Sequence, residues 1–535
     1  MIRRRVTVRG SADWVRFGRR VGPLVIVALL LLARPVGAHE ATPAATPVVI
    51  SPTDDQMLGD VQASLRDDVI AQTDGTLSSY QIQATIDTEA STIAGHLRVD
   101  YLNSADQPLD AIYFRLYPNA PYYGDGDLAI DAVQVGGMAV EPTLEVEETA
   151  LRVPLRDPVG AGSSVRIDLD FTTTVPINAA GSYGIFGREQ STGTWVLADW
   201  HPVLAVYEAA RGWRIDPPTS FGDPTYAASS RYDVTLTAPA GFQLITSGTE
   251  VGTTRHRKEV AHHYEAGPAR EFTMAADVDY SSVSGTIDGI TVTSWAQPGA
   301  ETAAQSALDV AVQALSLYNE RFGAYPFGEL DLVETPLSGA LAVSWAGIIF
   351  MDGPSLYDHL AIDNPDVFET VVAHEVAHLW WGASVGVDSN DHTFMNEGMA
   401  VATSIAYWQW TAGDAAAAEA LDREVLRLAR ALMDAGDAVV DVPIRDGQDQ
   451  GQRSLAFYGK GSLGLQAIRN EIGDEAFFAG LQEYAETFAF RIAEPADLRA
   501  AFETASGEDL DDLWRHWFNA KEMTPEEIEA VAAGE

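Results

Sequence analysis

The chain has 535 residues and a mass of 57.6 kDa, which is enough for two to four domains. Its 34 lysines and arginines stand against 77 aspartates and glutamates, so the formal net charge is −43. Nucleic-acid phosphates and anionic lipid head groups repel a chain this acidic, and we expect neither as a partner. Cysteine is absent, which excludes disulfides and leaves histidine and carboxylates as metal ligands.

Residues 1–38 have the composition of a secretory signal peptide. Eight arginines stand there against a single acid, the apolar stretch 24–33 is too short for an ordinary membrane-spanning helix, and small residues at 36–38 offer a cleavage site. We therefore expect a secreted or extracytoplasmic protein. The alternative is an uncleaved signal that anchors the protein at the cell surface. Residues 39–75, rich in Ala, Thr, Pro and Asp, are predicted to form a disordered, solvated linker.

The rest of the chain predicts an α+β fold with two domains. Short alternating runs separated by Gly, Asn, Asp and Pro turns indicate an N-terminal antiparallel β-sandwich or saddle over 76–295. A mostly helical domain is predicted over 296–522, followed by an acidic tail at 523–535. Its predicted helices are 304–322, 365–381, 413–435, 461–472, 475–488 and 495–505, and its predicted strands are 330–334 and 347–351.

The most informative stretch runs from Asn364 to Gly382 and contains a His-Glu-x-x-His pattern. Asn364 can cap a helix, the proline after it fits the first turn, and Gly382 can end it, so the sequence predicts a helix of about 17 residues. His374 and His378 lie four residues apart on that helix, and both imidazoles project from one face. Two imidazole nitrogens begin a tetrahedral zinc site and require a further ligand.

Glu397 is the candidate third ligand, at the start of a second helix. The 18 residues between it and His378 allow a loop and a reversal that bring the two helices together. Glu375 would point into the cleft, where a carboxylate can accept a proton from a water on the metal. The sequence thus predicts one Zn²⁺ with an open fourth position and Glu375 as general base. The alternative is that His374 and His378 are ordinary helix residues near a core edge.

These residues resemble the zinc site of the membrane alanyl aminopeptidase family, the gluzincins with HExxH-x18-E. The stretches 221–226, 232–241 and 315–327 also resemble the family, in the same order along the chain. The resemblance implies a thermolysin-like catalytic domain after the β domain. It also implies that Tyr458, in Tyr-Gly-Lys-Gly, is a catalytic tyrosine that donates a hydrogen bond to the developing oxyanion. The alternative interpretation of Tyr458 is a half-buried tyrosine at a helix start.

The chain departs from the family pattern at the residues that recognise a substrate N-terminus. Family members that trim N-termini have a Gly-x-Met-Glu-Asn segment, whose glutamate holds the free ammonium. Ser344 occupies that glutamate position here, and a hydroxyl lacks the charge that pairs with an ammonium. Ser344, Trp345 and Gly347 are the candidate substrate-binding residues. The family's long helical C-terminal domain is also expected to be missing, which makes this a short variant.

The sequence therefore predicts a secreted zinc metallopeptidase that acts on peptides or proteins and is aminopeptidase-like with altered N-terminus recognition. Exopeptidase and endopeptidase activity both stay open, and the sequence gives no oligomeric state. The alternative from another functional class is a catalytically idle relative that binds peptides or proteins. The presence of both Glu375 and Tyr458 argues against that alternative, because a pure binder would not need the pair.

Overall fold

The computed structural model describes residues 58–73, 75–178, 181–222, 225–446 and 450–534. The predicted signal peptide and the first part of the predicted linker lie outside these residues. Within the described ranges, no helix combines the length and apolar character that a membrane crossing requires.

The strands fall into an N-terminal group and a later group. The N-terminal strands are β1 (Ser78–Asp87), β2 (Thr92–Leu102), β3 (Leu109–Arg115), β4 (Asp127–Val135), β5 (Met138–Ala139), β6 (Thr143–Glu145), β7 (Ala150–Val159), β8 (Ser164–Thr174), β9 (Phe186–Arg188), β10 (Trp195–Leu197), β11 (Val203–Leu204), β12 (Tyr207–Glu208), β13 (Gly212–Trp213), β14 (Ser230–Pro239), β15 (Gln243–Thr246), β16 (Thr249–His256), β17 (Glu259–Ala269) and β18 (Met274–Asp277). The later strands are β19 (Ser281–Ile287), β20 (Ile290–Ala296), β21 (Glu329–Thr335), β22 (Ala342–Trp345) and β23 (Ile348–Asp352).

The helices lie mostly after residue 300. They are α1 (Arg66–Thr73), α2 (Glu301–Phe322), α3 (Ala361–Asp363), α4 (Pro365–Ala377), α5 (Met399–Ala412), α6 (Asp414–Leu421), α7 (Arg427–Ala435), α8 (Gln450–Ser454), α9 (Ser462–Phe488), α10 (Pro495–Ser506), α11 (Asp511–Trp514) and α12 (Pro525–Ala533). Wider π-type turns at Gly353–Leu360, Phe394–Gly398, Asp422–Leu426, Leu455–Gly461 and Arg515–Asn519 adjoin several of them.

The β domain is built around an eight-stranded sheet with the order β16-β17-β14-β1-β2-β8-β4-β5. Alternation in β1 places Tyr80, Ile82 and Ala84 in the core, and Gln81 and Gln83 between them point toward solvent. Ile82 pairs with Leu97 of antiparallel β2 and with Val234 of β14. The β1–β14 pair is parallel, so the predicted antiparallel domain contains one parallel pairing. Two four-stranded sheets, β15-β18-β10-β9 and β11-β3-β7-β6, and the two-stranded sheet β12-β13 complete the domain.

The helical domain has a five-stranded sheet of its own, here called the second sheet, with the order β19-β20-β21-β23-β22. This sheet begins before residue 296, the predicted start of the helical domain. Strands β19 and β20 lie inside the predicted β domain 76–295, but β20 pairs in parallel with β21. Helix α2 connects these two strands, as parallel pairing requires of a crossover. The sheet of the helical domain therefore starts at Ser281. Alternation alone could not reveal this, because it does not name the partner of a strand.

The structure corrects the prediction for part of the linker. Leu58 and Val61 are buried, the Gln62 N–H donates to the Pro326 carbonyl oxygen (2.9 Å), and α1 follows. This segment is mostly polar, so its few apolar residues form no hydrophobic pattern from which their burial could be predicted. The predicted acidic tail also contains structure, because Ile528 of α12 is buried.

The helical domain follows the predicted pattern closely. The predicted helices 461–472 and 475–488 form one helix, α9, which is interrupted at Gly473 with φ at +80°. Helix α4 is shorter than predicted, because it ends at Ala377 rather than near Gly382. Strand β22, which the sequence did not predict, forms one edge of the second sheet and lies beside α4.

Candidate metal centre and catalytic cleft

Helix α4 carries His374, and the turn at its end keeps the helical spacing to His378. The His378 N–H still donates to the His374 carbonyl oxygen (3.3 Å), although His378 is already the first residue beyond the helix. The Ala383 N–H donates back to the His378 oxygen (3.0 Å), and Gly382 adopts φ +124°. Asn364 occupies the N-cap position, but its side chain makes no capping hydrogen bond.

The structure brings the three predicted metal ligands together. The Nε2 atoms of His374 and His378 lie 3.0 Å apart, and Glu397 Oε2 lies 3.3 Å from the first and 3.6 Å from the second. Ligand atoms bound tetrahedrally to zinc at about 2.0–2.2 Å lie roughly 3.3–3.5 Å from one another. These two nitrogens and one carboxylate oxygen therefore fit a zinc ion and leave a fourth position open.

Glu397 reaches the histidines because α5 packs against α4. It lies in the π-type turn Phe394–Gly398 that leads into α5. Two indoles join the helices: Trp381 Nε1 donates to Thr403 Oγ1, and Trp408 Nε1 donates to Thr370 Oγ1, each at 2.9 Å. The predicted reversal between the second histidine and the third ligand is therefore present.

The charges of the site suit a cation. Burial alone would raise the pKa of Glu397, but the two histidines outweigh it and hold this pKa well below its ordinary value. Burial likewise opposes the charged form of His378, yet the neighbouring Glu397 raises the pKa of His378 to about 9. A metal ion that binds here meets an ionised carboxylate and displaces a proton from His378.

Asn396 orients His378 and was missed by the sequence analysis. Its Oδ1 lies 2.8 Å from His378 Nδ1, and the Trp381 carbonyl oxygen lies 3.0 Å from the same nitrogen. Acceptors on Nδ1 leave Nε2 with its lone pair toward the metal. The position of Asn396, directly before a metal ligand, was the available signal, but adjacency along the chain does not show which way a side chain points.

The loop between the two ligand-bearing helices is fixed by arginines. Asp391 Oδ2 accepts hydrogen bonds from Arg211 (2.5 Å) and Arg214 (3.1 Å), and Arg445 contacts its other oxygen at 2.7 Å. Arg214 also pairs with Asp388 at 2.6 Å. Two of these arginines come from the β domain, so that domain helps to hold the segment leading to the third ligand.

Glu375 is buried beside the metal ligands and contacts edge strand β22. Ser344 Oγ lies 2.7 Å from Glu375 Oε2 and 3.0 Å from the Glu375 carbonyl oxygen. The predicted general base and the residue at the family's glutamate position are therefore direct neighbours. The spacing of the motif gave no sign of this contact between residues 31 positions apart.

Tyr458 lies in the π-type turn Leu455–Gly461 and faces the same cleft. Burial, and next the nearby Glu397 carboxylate, raise the pKa of its phenol well above the ordinary value, so it stays a hydrogen-bond donor at neutral pH. The neighbouring Lys460 is fully buried, and its Nζ donates to both oxygens of Asp437 (2.8 and 3.0 Å) and to two carbonyl oxygens. This buried cation anchors the turn that carries Tyr458.

These side chains line one cavity of about 400 Å³, within the range of ligand-binding pockets. Trp345 lines it as well, and its indole nitrogen donates to Glu271 Oε2 at 3.0 Å. Gly347, the third predicted substrate-binding residue, instead lies beyond β22 against the backbone of Ser247. Tyr183 and Glu271 of the β domain complete the wall. No sequence pattern marks either residue, because only tertiary packing brings them to the metal site.

Comparisons with known proteins show what this chain is similar to. Residues 306–517 match the Peptidase family M1 domain. The chain is 28% identical over 378 residues to aminopeptidase M1-B of Oryza sativa subsp. japonica, over 67% of this chain and 41% of that protein. It is 22% identical over 427 residues to aminopeptidase 2 of Candida albicans, over 76% of this chain and 44% of that protein. The chain thus spans less than half the length of these relatives.

Solved structures share the fold. A mutant two-domain M1 zinc metallopeptidase bound to L-arginine matches with a TM-score of 0.62 at 18% identity, over 84% of this chain and 95% of that chain. The M1 zinc metallopeptidase from Deinococcus radiodurans matches with a TM-score of 0.60 at 17% identity, over 84% and 94%. The fold, with a β-rich domain before a helical one, is that of these two-domain structures, and the donor set fits a zinc ion. By sequence, the chain is similar to members of peptidase family M1.

Proposed function

We propose that this protein is an exported zinc peptidase that hydrolyses peptide bonds, with N-terminus recognition that differs from that of its aminopeptidase relatives. The observation that carries the proposal is the convergence of His374, His378 and Glu397 in a cavity that also holds Glu375 and Tyr458. A binding protein would need neither a buried carboxylate beside the metal ligands nor a protonated phenol across from them.

Each residue has a distinct part in the proposed reaction. Zinc, when bound, polarises the scissile carbonyl and acidifies a water molecule. Glu375 accepts a proton from the attacking water and delivers it to the leaving amine, so one group serves as base and then as acid. Tyr458 donates a hydrogen bond to the carbonyl oxygen as negative charge develops there. As the edge strand beside the metal ligands, β22 offers backbone groups to an extended peptide.

The altered recognition follows from the residue at position 344. Ser344 is neutral and directs its hydroxyl toward Glu375, so it offers no anion to a substrate ammonium. Glu271 also lines the cavity, where it accepts a hydrogen bond from Trp345. A free N-terminus that enters this cleft would meet its carboxylates in a different arrangement from that of the family motif.

The hydrolytic proposal is tested with a peptide library and two forms of the protein, wild type and Glu375→Gln. We expect both to retain zinc and the variant to be slower by about 10²- to 10⁴-fold, the usual contribution of a general base. If both forms bind zinc and neither cleaves any peptide, the hydrolytic function is wrong and the idle, peptide-binding relative replaces it.

N-terminus recognition is tested with matched peptides that differ only in N-terminal acetylation. We expect acetylated peptides to be cleaved at a rate within about tenfold of the free ones, because Ser344 offers no anion that acetylation would deprive of an ion pair. A tenfold difference in rate corresponds to about 1.4 kcal/mol. Cleavage restricted to free amines would contradict altered recognition.

Export is tested by fractionating cells and measuring the mass of the protein outside the cytoplasm. Retention in the cytoplasm would contradict that part of the proposal.

A further inference from the structure

Ser344 makes a direct contact with the group expected to carry the proton. Its Oγ is 2.7 Å from Glu375 Oε2, against 3.0 Å from the Glu375 carbonyl oxygen. The hydroxyl has one proton to donate, and an ionised carboxylate is the stronger acceptor as well as the nearer one. Among the residues that the structure describes, Ser344 is the hydrogen-bond donor to this carboxylate.

The strand around Ser344 keeps the hydroxyl in place. Ser344 pairs with Ile349 and Trp345 pairs with Ile348 in the antiparallel ladder between β22 and β23. Successive side chains point to opposite faces of a strand, so Trp345 packs on Phe350 with ring centroids 4.9 Å apart while Ser344 faces α4. The buried tryptophan thereby fixes the orientation of the serine beside it.

We propose that Ser344 is a positioning residue for Glu375, which holds Oε2 so that Oε1 is the oxygen that exchanges protons with water and with the leaving amine. This inference rests on the proposed hydrolytic function. It also accounts for a hydroxyl where the family motif has an acid. The Ser344 hydroxyl gives the base an oriented donor at 2.7 Å.

The test compares kcat and KM of zinc-loaded wild type, Ser344→Ala and Ser344→Thr on a peptide that wild type cleaves. Ser344→Ala should lower kcat about 10- to 100-fold, the range of a hydrogen bond to a charged group, with KM within about twofold. Ser344→Thr keeps the hydroxyl and should recover kcat to within about threefold of wild type. The control is Ser284→Ala, a serine on β19 at the opposite edge of the same sheet, hydrogen-bonded to Thr293 and exposed.

Zinc content and melting temperature are measured for every variant, so that loss of metal or of folding is separated from loss of positioning. A wild-type kcat in Ser344→Ala overturns the inference and leaves the hydrolytic function intact. A change confined to KM overturns it in favour of substrate contact by Ser344. The inference is also overturned if the fall in kcat of Ser344→Ala accompanies a loss of bound zinc. It is overturned as well if the kcat of Ser344→Thr falls as far as that of Ser344→Ala. Absence of cleavage by wild type would instead refute the hydrolytic function itself.

Discussion

Replacing Asn396 with alanine should weaken zinc binding although no metal ligand is removed. The amide oxygen of Asn396 lies 2.8 Å from His378 Nδ1 and helps to fix the imidazole with Nε2 toward the metal. Loss of such an outer partner typically weakens metal affinity about 10- to 100-fold. The Trp381 carbonyl oxygen remains 3.0 Å from Nδ1, so we expect a loss near the lower limit, about tenfold or roughly 1.4 kcal/mol.

The assay is a competition titration of the metal-depleted protein with zinc and a fluorescent chelator of known affinity. Asn519→Ala is the matched control, because Asn519 is exposed and its amide donates to the Asp441 carboxylate at 3.3 Å, away from the metal ligands. The control should bind zinc as wild type does. An unchanged affinity in Asn396→Ala would refute the orienting role of the amide. A loss of affinity that accompanies a lower melting temperature would show instead that Asn396 acts through the stability of the turn.

Two further substitutions test the buried charges around the cleft. Lys460→Met removes the fully buried partner of Asp437 and leaves a carboxylate without its cation. We therefore expect the free energy of unfolding, measured by urea denaturation, to fall by about 3–5 kcal/mol. A loss below about 1 kcal/mol would contradict this. Burial opposes the charge of His392, but hydrogen bonds to Asp441 and Glu494 raise the pKa of His392 to about 10. The contribution of the charged imidazole to the free energy of unfolding is therefore complete below about pH 6.5, which is the ordinary pKa of histidine. This contribution falls as pH rises and is gone above about pH 10. His392→Gln should therefore cost about 2 kcal/mol of unfolding free energy at pH 6 and almost none above about pH 10, and an equal cost at both would contradict the ion pair.

The sequence predicts most of the metal site because its information is local. Helix periodicity places His374 and His378 on one face wherever that helix lies, and a loop of 18 residues is long enough to return Glu397 to them. The predicted helices of the second domain are also present, since their apolar periods are long and regular. These features depend on residues near one another in the chain.

The remaining features of the cleft depend on packing between distant segments. Ser344 meets Glu375 only because edge strand β22 lies against α4. Glu271 and Tyr183 reach the cavity from the β domain, and neither belongs to a periodic pattern that would mark it. The close approach just after α4 has the same origin, because a Cβ at Gly382 would lie 2.7 Å from Asn396 Oδ1 of the following turn.

Arg270 joins the β domain to the segment that follows helix α4. Its guanidinium donates to the carbonyl oxygens of Gly382 (3.0 Å) and Ser384 (3.2 Å), which lie just after α4. It also donates to the carbonyl oxygen of Arg491 near α10 (2.9 Å). Burial lowers the pKa of Arg270 to about 10, so it remains a cation at neutral pH. A Cβ at Gly386 would lie 2.0 Å from this guanidinium, so the glycine is needed for the close approach. The segment that follows the second histidine is therefore held by a residue of the other domain, and the geometry of the metal ligands depends on both domains.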